Sequence, residues 1–382
     1  MNRRKFLKIV GGGVIVAAGT GIIGFFATRT PNRALKPWLD SGTAYTEPRE
    51  RALSYAILTP NPHNRQPWKI DLSNPDTIKI LVDTDQMLPH TDPFNRQITI
   101  GFGCFLEVLR MAAAQDGFRV EENLFPEGSV ETQLDERPVA ILKLLRDTKI
   151  KPDPLFLHVL KRRSLKDPYD LSHPISDKTL LSIEEATDAQ NRIGTTNDPK
   201  MVEKIRQLTR QAMKIEIETP QTYKESVNLF RIGKKEIEAN PDGIDFSGPL
   251  FESLALAGFF SREGALDRNS SEFKQGIAAV MENVDTAMGY VWLVSKTNTR
   301  IAQIKSGRDW VRINLATTGL GLGTHPLSQA LQEYSEMTQM YKKLHEIFAP
   351  DGGTVQMLAR LGFGNKVAAS PRWALEKKII GV

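Results

Sequence analysis

The 382-residue sequence contains a single cysteine, Cys104. One cysteine excludes an intramolecular disulfide and supplies too few ligands for a cysteine-based zinc or iron–sulfur site. Its neighbours are glycine and apolar residues, which indicates a core position rather than a nucleophile. His90 and Asp92 lack a third ligand nearby in the sequence, so we expect no metal site. The sequence also lacks the G-x-S-x-G, H-E-x-x-H and P-loop signatures of hydrolases, metalloproteases and nucleotide triphosphatases.

Acidic residues are absent from the first 39 positions, where the chain is basic. Six of the 50 Lys and Arg residues lie within residues 1–33, so the rest of the chain holds 44 basic against 45 acidic residues. The net charge of +5 is therefore a property of the amino-terminal segment, and the remaining body is close to neutral. A nucleic-acid-binding protein keeps a basic patch on its folded body, so we expect no nucleic-acid partner.

Residues 1–33 have the layout of a targeting segment, because the uncharged stretch 9–28 lies between basic residues. The string Asn-Arg-Arg-Lys-Phe-Leu-Lys at residues 2–8 resembles a twin-arginine export signal. Glycines dilute the apolar stretch, which favours an export signal over a dedicated anchor. No clear cleavage site precedes Arg29, and about 20 apolar residues also span a bilayer, so an uncleaved membrane tether is an alternative. We expect export by the twin-arginine machinery to the periplasm or cell envelope.

After a polar, proline-containing linker at 34–44, the residue pattern predicts an α+β fold with more helix than strand. Thr46 is the expected cap of the first helix, and Ser176 is the expected cap of a later one. The other predicted elements are strands over 69–72, 77–82, 139–145 and 354–361, and helices over 99–115, over 308–318 and over most of 199–318.

Two stretches of the body have the same order of elements. Residues 99–123 run from a helix through a glycine into an extended segment, and residues 308–325 do the same. This repetition predicts two related units, each with helices on a small sheet. We expect a first, abbreviated unit over 45–148 and a second unit over 149–382.

The loop from Pro60 to Trp68 is rich in proline and amide residues. Its prolines are expected to hold it extended, so that Asn64 and Gln66 point to one side. An amide offers both a donor and an acceptor, which suits the polar edge of a planar heterocycle. Trp68 is the expected core anchor of the loop. The alternative is an ordinary surface loop, since proline and asparagine are typical of loops.

A basic segment, Lys-Arg-Arg-Ser-Leu-Lys at residues 161–166, lies about 100 positions further along. If this segment is extended, Arg162, Ser164 and Lys166 lie on one face. Two cations with a hydroxyl between them match a phosphate monoester, which accepts charge-assisted hydrogen bonds. The alternative is a solvated basic helix end that interacts with the helix dipole.

Taken together, the two segments resemble those that hold FMN in the flavin-dependent nitroreductase superfamily. Both lie in one chain here, which is similar to the Acg-type members, whose single chain folds as two nitroreductase-like halves that imitate the usual dimer. The resemblance implies FMN as the cofactor and an intrachain pseudo-dimer of two such halves. The FMN-binding residues that it implies are Arg162, Arg163, Ser164 and Lys166 around the phosphate and the N1 side, Pro62, Asn64 and Gln66 from the first half, Leu327, Ser328 and Gln329 near N5, and the C-terminal Arg372.

The resemblance also implies an FMN-dependent oxidoreductase that transfers hydride through the flavin to a nitro, quinone-like or enone acceptor. The implied electron donor is NAD(P)H or a membrane or exported donor. A cation such as Lys166 would stabilise the reduced flavin electrostatically. The sequence singles out no catalytic acid or base, and His63 and His325 are candidates for facing the substrate.

Some positions depart from the pattern of this superfamily, namely Asn61, Ser328, Gln329 and Ser370. Some Acg-type relatives also have a lid over the flavin pocket, and the insert at 219–262 is the candidate lid in this chain. Two alternatives to the enzyme follow. One is a flavin-free relative that binds or sequesters a small molecule without turnover, and the other is a membrane-tethered helical interaction protein.

Overall fold

The structure, a computed structural model, describes residues 28–187 and 191–381. It is a mixed α+β fold with more helix than strand, which confirms the fold class expected from the sequence. The twin-arginine string and most of the leader, residues 1–27, lie outside the described residues. The range expected to be a linker, 34–44, contains most of the first helix.

The α-helices of the described residues are α1 (Asn32–Asp40), α2 (Pro48–Ala56), α3 (Arg96–Gln115), α4 (Asp177–Glu184), α5 (Pro199–Glu218), α6 (Pro220–Asn228), α7 (Gly233–Ala239), α8 (Pro249–Leu256), α9 (Arg262–Leu266), α10 (Ser271–Asp285), α11 (Arg300–Gly319) and α12 (Thr338–Phe348). The strands are β1 (Trp68–Asp71), β2 (Ile78–Val82), β3 (Phe118–Leu124), β4 (Ala140–Arg146), β5 (Arg192–Thr196), β6 (Phe230–Ile232), β7 (Ile244–Phe246), β8 (Gly289–Ser295), β9 (Gly323–Pro326), β10 (Thr354–Gly362) and β11 (Ile379–Gly381). Short 3-10 helices include Pro62–Asn64, Pro154–Lys161 and Gln329–Leu331.

The two expected helix caps have different outcomes. The Ser176 hydroxyl accepts a hydrogen bond from the Thr179 backbone N–H at 3.2 Å, which confirms the predicted cap of α4. The prediction of Thr46 as the cap of α2 is wrong, because the Glu47 carboxylate accepts from the Glu50 backbone N–H at 2.9 Å. Proline favours the first helical position, so Pro48 makes the residue directly before it the cap.

Most of the strands form two larger sheets. The first has the order β11-β1-β2-β4-β3, the second has the order β5-β8-β10-β9, and β6 pairs with β7 separately. Strand β11 joins the first sheet from a distant part of the sequence, parallel to β1, with Ile379 opposite Ile70. Strand β8 is an inner strand of the second sheet, so the prediction that 199–318 is mostly helical is wrong there. Its run Tyr-Val-Trp-Leu-Val is almost wholly buried, and β-branched and aromatic residues favour strands.

Helices α3 and α11, each of 20 residues, pack closely against each other. An added Cβ at Gly103 would lie 2.1 Å from the Ile304 carbonyl oxygen, and one at Gly307 would lie 2.0 Å from the Ile100 carbonyl oxygen. Only glycine permits this approach of the two backbones. Cys104 is buried at the same crossing, as expected for a core cysteine, and its thiol donates to the Gly307 carbonyl oxygen at 3.1 Å.

Helix α3 also forms the core beneath the first sheet. Trp68 is fully buried and its ring centroid lies 4.9 Å from that of Phe105 on α3, which confirms Trp68 as the core anchor of its loop. By length and composition α3 is apolar enough to cross a membrane, yet 89% of its most apolar window is buried inside the protein. A helix buried in this way is typical of a protein core.

The two larger sheets share a strand arrangement. The order β1-β2-β4-β3 of the first sheet parallels β5-β8-β10-β9 of the second. Helix α3 is followed by Gly117 with φ of 75° and then by β3, and α11 is followed by Gly321 with φ of 70° and then by β9. The helix, glycine and strand order predicted for 99–123 and 308–325 is therefore present at both places.

Candidate functional site

The loop that connects α2 to β1 is a tight turn, which corrects the extended loop expected from its prolines. Residues Pro62–Asn64 form a 3-10 turn, and His63, Asn64 and Gln66 have φ of 48°, 54° and 49°. The Asn61 side-chain oxygen accepts from the Gln66 backbone N–H at 2.7 Å, and this bond closes the turn. Left-handed backbone at a residue other than glycine costs on the order of 1 kcal/mol, so surrounding contacts must hold the turn.

Gln66 fixes this loop to remote parts of the chain. Its side chain is fully buried, Oε1 accepts from the Trp373 backbone N–H at 2.9 Å, and Nε2 donates to the Pro241 carbonyl oxygen at 2.7 Å. The Lys378 ammonium donates to the Gln66 carbonyl oxygen at 2.7 Å. Both ends of the amide are therefore bonded to the backbone of the protein itself, and Gln66 is an anchor of the site.

Arg372 lies between this loop and the end of α2, and only 3% of the residue is exposed. Its Nη1 donates to Asn64 Oδ1 at 2.6 Å, and its Nε donates to the Ile57 carbonyl oxygen at 3.1 Å. Its Nη2 donates to the carbonyl oxygens of Leu58 and Thr59 at 3.1 and 3.2 Å. These carbonyls directly follow the C-terminal end of α2, where the helix dipole favours a positive charge.

Arg162 approaches the same carbonyls from the second segment. The 3-10 helix Pro154–Lys161 ends just before it, Arg162 itself is extended, and its Nη2 donates to the Leu58 carbonyl oxygen at 3.3 Å. Its Nη1 is buried and has no hydrogen-bond partner among the described residues. Burial, followed by the charge of Arg163, lowers the Arg162 pKa to about 10. A buried guanidinium N–H without a partner is costly, and an anion would satisfy it.

Trp38 of α1 lies between two of the site's guanidinium groups. The Arg163 Cζ atom is 4.3 Å from the Trp38 ring centroid, and the Arg372 Cζ atom is 5.4 Å from it. The indole N–H donates to the Ser370 carbonyl oxygen at 2.8 Å, which fixes the ring. The face of an indole ring attracts cations, so Trp38 helps to hold both arginines together.

Arg162, Arg163 and Arg372 form what we call the arginine cluster. Burial, then the charges of Arg162 and Arg163, lower the Arg372 pKa to about 9, and the Asp245 carboxylate on β7 acts in the opposite direction. Among the charges that act on Arg372 in the described part of the chain, Asp245 is the single acidic group. The cluster therefore carries an excess of positive charge in a desolvated place. All five N–H groups of Arg372 already donate to Asn64 Oδ1 and to backbone carbonyl oxygens, so Arg372 contributes charge and no free donor. The partnerless Arg162 Nη1 beside this charge fits an anion such as a phosphate monoester.

Electrostatic interactions join Lys166 to Asp245 and to two histidines, and join Asp245 to Arg372 of the arginine cluster. Burial, then the charges of Lys166 and Arg65, lower the His63 pKa to about 4. Burial, then Arg360 and Lys166, lower the His325 pKa well below its usual range. His63 Nδ1 is buried without a partner in the described residues, whereas His325 Nδ1 accepts from Arg360 Nε at 2.9 Å. Both imidazoles are thus neutral at pH 7, and the Arg360 bond leaves the His325 proton on Nε2.

Three of the residues implied by the resemblance have contacts elsewhere. Leu327 is buried in the core formed with α5 and α12. Ser328 precedes the 3-10 helix Gln329–Leu331, which packs on α5, the helix that carries Glu216. Burial raises the Glu216 pKa to about 7, and Gln332 Nε2 donates to its carboxylate at 2.6 Å. Within the described residues, these contacts do not bring residues 327–329 to the arginine cluster.

Two further residues implied by the resemblance lie at the edges of the site. Pro62 packs on α3, where an added Cβ at Gly101 would lie 3.4 Å from Pro62 Cδ. Ser164 is partly buried next to Leu165, whose backbone N–H donates to the Thr324 carbonyl oxygen at 3.1 Å. These contacts attach the loop to α3 and the basic segment to β9.

Residues of the 219–262 insert lie directly against the loop. Arg65 Nη1 bonds Asp242 Oδ2 at 2.5 Å, and the Gly243 backbone N–H donates to the Asn64 carbonyl oxygen at 3.3 Å. Ser226 Oγ lies 3.4 Å from His63 Nε2. The insert therefore covers the turn at residues 62–66 and brings Asp245 near the arginine cluster.

Two residues of this site, Trp38 and Asp245, do not appear among those predicted from the sequence. Trp38 lies in the range expected to be a linker, and a tryptophan in a short polar linker is itself a signal of burial. Asp245 lies in the insert, and no local pattern relates it to an arginine more than 120 positions away.

Comparison with known proteins finds no protein-family model and no curated protein that matches the chain. Among solved structures it is similar to nitroreductases. The FMN-dependent nitroreductase NfnB from Mycobacterium smegmatis in complex with NADPH is 14% identical, with 57% of this chain and 92% of that chain covered and a TM-score of 0.36. A nitroreductase with bound FMN from Bacteroides fragilis is 13% identical, with 58% and 94% covered and a TM-score of 0.32. The nitroreductase-like family protein from Bacillus cereus is 9% identical, with 61% and 97% covered and a TM-score of 0.33. Values this low do not establish the family of the chain.

Proposed function

We propose that this protein is an FMN-dependent oxidoreductase of the nitroreductase type that transfers hydride to a nitro, quinone-like or enone acceptor. The observation that carries the proposal is the buried arginine cluster beside the Asn64 turn, in which an Arg162 N–H lacks a partner among the described residues. Such a site fits the phosphate end of FMN, because the ligand would complete the hydrogen bonds and offset the positive charge.

The residues of the chain have separate roles in this proposal. Arg162 and Arg163 bind the phosphate, Arg372 holds the turn in place and adds positive charge, and the turn that carries Asn64 and Gln66 orients the ligand. The Lys166 ammonium provides positive charge where the reduced ligand becomes negative. Bound FMN supplies the hydride-transferring chemistry, which no side chain of the site provides.

We also propose that residues 45–148 and 149–382 are two nitroreductase-like halves that form an intrachain pseudo-dimer. The support comes from positions that differ by 204 in number: Ile100 and Ile304, Gly103 and Gly307, and Gly117 and Gly321. Gly103 approaches the Ile304 carbonyl in the same way as Gly307 approaches the Ile100 carbonyl. Reciprocal contacts of this kind are what a two-fold axis produces at a dimer interface.

The leader places this activity outside the cytoplasm in our proposal, with residues 1–33 directing export by the twin-arginine machinery and then being either cleaved or retained as a tether. NAD(P)H is scarce outside the cytoplasm. The proposed electron donor is therefore either NAD(P)H or a membrane or exported donor, and the donors can be compared directly in an assay with the purified protein.

A flavin-free protein that binds or sequesters a small molecule without turnover is the second candidate function. It is favoured by one observation, the position of Asp245, whose carboxylate acts on both Lys166 and Arg372. The Asp245 carboxylate already neutralises part of the positive charge of the arginine cluster, so less charge is left for a phosphate. The 219–262 insert also covers the neighbouring turn.

Binding of FMN by the purified full chain tests the proposal. Protein prepared without denaturation should show the flavin absorbance or bind added FMN with a rise in melting temperature. The Arg162→Gln variant should bind FMN at least about tenfold more weakly, because it loses charge-assisted hydrogen bonds of about 1.5–3 kcal/mol. Arg119→Gln, on the exposed part of β3, is the matched control and should bind normally. A colourless protein that does not bind added FMN but binds another phosphate compound would favour the second candidate.

A further inference from the structure

Helix α8 and the turn after it expose an apolar surface that nothing in the described part of the chain covers. Leu256 is 77% exposed and Phe259 is 61% exposed, with Ala257 and Gly258 exposed between them. From residue 246 to residue 261 the sequence has one charged residue, Glu252. Single exposed apolar residues are ordinary on protein surfaces, but a run with one charge that ends in exposed Leu and Phe three positions apart is not. We call residues 249–260 the apolar tip.

The apolar tip rests on an aromatic base within the same insert. The Phe246 ring centroid lies 5.1 Å from that of Phe251, 4.8 Å from that of Phe260 and 4.7 Å from that of Phe230. Aromatic rings packed in this way stabilise the segment without help from outside it. The segment that carries Phe259 is therefore well packed at its base. The exposure of the Phe259 side chain is not the result of missing packing in that segment.

The amino-terminal leader joins the folded body at this same place. Arg29 Nη1 bonds the Glu252 carboxylate on α8 at 3.0 Å, and Lys234 Nζ on α7 donates to the Thr28 carbonyl oxygen at 3.1 Å. Arg33 Nη2 donates to the Glu238 carbonyl oxygen at 2.7 Å, also on α7. The uncharged stretch 9–28 of the sequence therefore ends beside the apolar tip. Arg29, the residue that follows it, bonds Glu252, and Glu252 lies four positions before Leu256.

We propose that the apolar tip inserts into the interface of the lipid bilayer to which the leader tethers the protein. A stretch of about 20 uncharged residues is long enough to cross a bilayer. Glu252 and Phe259 are seven positions apart, so Phe259 lies within roughly 10–25 Å of the leader junction, whether the chain between them is helical or extended. Leu and Phe side chains on a helix are the residues that enter the headgroup and acyl boundary of a membrane. The tether and the tip would then hold the arginine cluster, which the same insert borders, at a fixed orientation to the membrane.

Site-specific labelling of the full chain tests this proposal. Cys104 is buried, so a cysteine introduced at Leu256 or at Phe259 is the accessible one for an environment-sensitive fluorophore. The protein is reconstituted with phospholipid vesicles that contain nitroxide-labelled lipids. Leu181→Cys on α4, where the leucine is 54% exposed, is the matched control, because α4 packs on β5 and α11 and away from the insert. The L256C and F259C labels should be quenched at least about threefold more strongly than the L181C label.

Two measurements test the leader and the apolar tip independently of each other. Flotation of the full chain with vesicles tests the leader, and quenching tests the tip. A Leu256→Ser, Phe259→Ser double variant should still float, while a label placed at Ala257→Cys in that variant should lose most of its quenching. The proposal is overturned if the full chain does not float, or if the 256, 259 and 181 labels are quenched equally. It is also overturned if the tip labels are shielded without lipid and the shielding increases with protein concentration, because the occupant is then a second copy of the chain.

Discussion

The side chains of Arg372 and Asn64 are hydrogen-bonded at 2.6 Å although 308 positions separate them in the sequence. The Asn64 amide nitrogen also donates to the Pro371 carbonyl oxygen at 3.0 Å, so both ends of the Asn64 amide bond the segment 371–372. This pair connects the left-handed turn of the first segment to the C-terminal segment. The arginine cluster depends on it, because Arg372 reaches the Leu58 carbonyl shared with Arg162 from this position.

Replacing Asn64 by Asp should weaken anion binding without harming the fold. The substitution keeps the shape of the side chain, and Asp tolerates the left-handed backbone at this position. The new carboxylate would pair with Arg372 and use the charge that a phosphate needs. We expect the FMN Kd to rise about tenfold and the melting temperature to change little, because the new ion pair with Arg372 offsets the lost donation to the Pro371 carbonyl oxygen. Fluorescence titration and thermal melting measure the two quantities. Asn74→Asp, at an exposed position, should change neither quantity.

Replacing Asp245 by Asn should have the opposite effect on the same site. The Asp245 carboxylate offsets part of the charge of Lys166 and Arg372, so its removal leaves the arginine cluster more positive. We expect FMN and inorganic phosphate to bind about three- to tenfold more tightly, which corresponds to roughly 1 kcal/mol. Calorimetric titration measures this change. Glu263→Gln is the control at an exposed acidic residue directly after the same insert, and an equal effect of both substitutions would point to the general charge of the protein instead.

The Gly103 crossing should tolerate no side chain. The added Cβ of a Gly103→Ala variant would lie 2.1 Å from the Ile304 carbonyl oxygen, so α3 and α11 would have to move apart. We expect a loss of about 3 kcal/mol or more in the free energy of unfolding, measured with urea. Gly276→Ala is the matched control, because an added Cβ on that helical glycine meets nothing within 4 Å. That variant should gain about 0.5–1 kcal/mol, since alanine favours a helix over glycine. Equal stability of the two variants would contradict the described packing.

The low His63 pKa predicts a loss of stability in mild acid. The pKa is about 4 in the folded protein and about 6.5 in the unfolded chain, so below pH 6.5 the unfolded chain takes up a proton that the folded protein refuses. The stabilisation from neutral His63 is therefore complete above about pH 6.5 and is lost as the pH falls towards 4, by at most roughly 3 kcal/mol.

Urea unfolding of a His63→Asn variant at several pH values measures this contribution. Asparagine accepts the left-handed backbone at this position and carries no titrating group. The slope of unfolding free energy against pH should become shallower between pH 4 and 6.5, and the slope that remains includes His325, whose pKa is lowered in the same direction. His90→Asn, at an exposed loop position, should leave the slope as it is. An unchanged slope in the His63 variant would show that His63 titrates normally.

The sequence predicted local features of the fold well and long-range pairings poorly. Trp68 as a core anchor and Ser176 as a helix cap depend on near neighbours, and both are confirmed. The residues of strand β8 are typical of a strand. The helical segments on both sides of it led to the wrong prediction of helix there. Strand β11 has only three residues, and its place beside β1 is set by tertiary contacts that no local pattern contains.

The same division applies to the candidate site. The residue types around Arg162 indicate phosphate chemistry, and the resemblance adds Arg372, but neither predicts that both guanidinium groups meet at the Leu58 carbonyl. The turn at residues 62–66 departs from the extended form that prolines favour, because a side chain, Asn61, supplies the closing hydrogen bond. Trp38 was not predicted as a site residue because it lies in a segment whose composition resembles a linker.

The C-terminal segment also constrains the order in which the chain can fold. Strand β11 completes an edge of the first sheet, Trp373 and Lys378 hold the backbone and side chain of Gln66, and Arg372 holds Asn64. Residues 371–381 are synthesised about 300 positions after the turn that they support. The first sheet and its turn therefore stay incomplete until about 300 further residues have been synthesised, and the site is assembled only after that point.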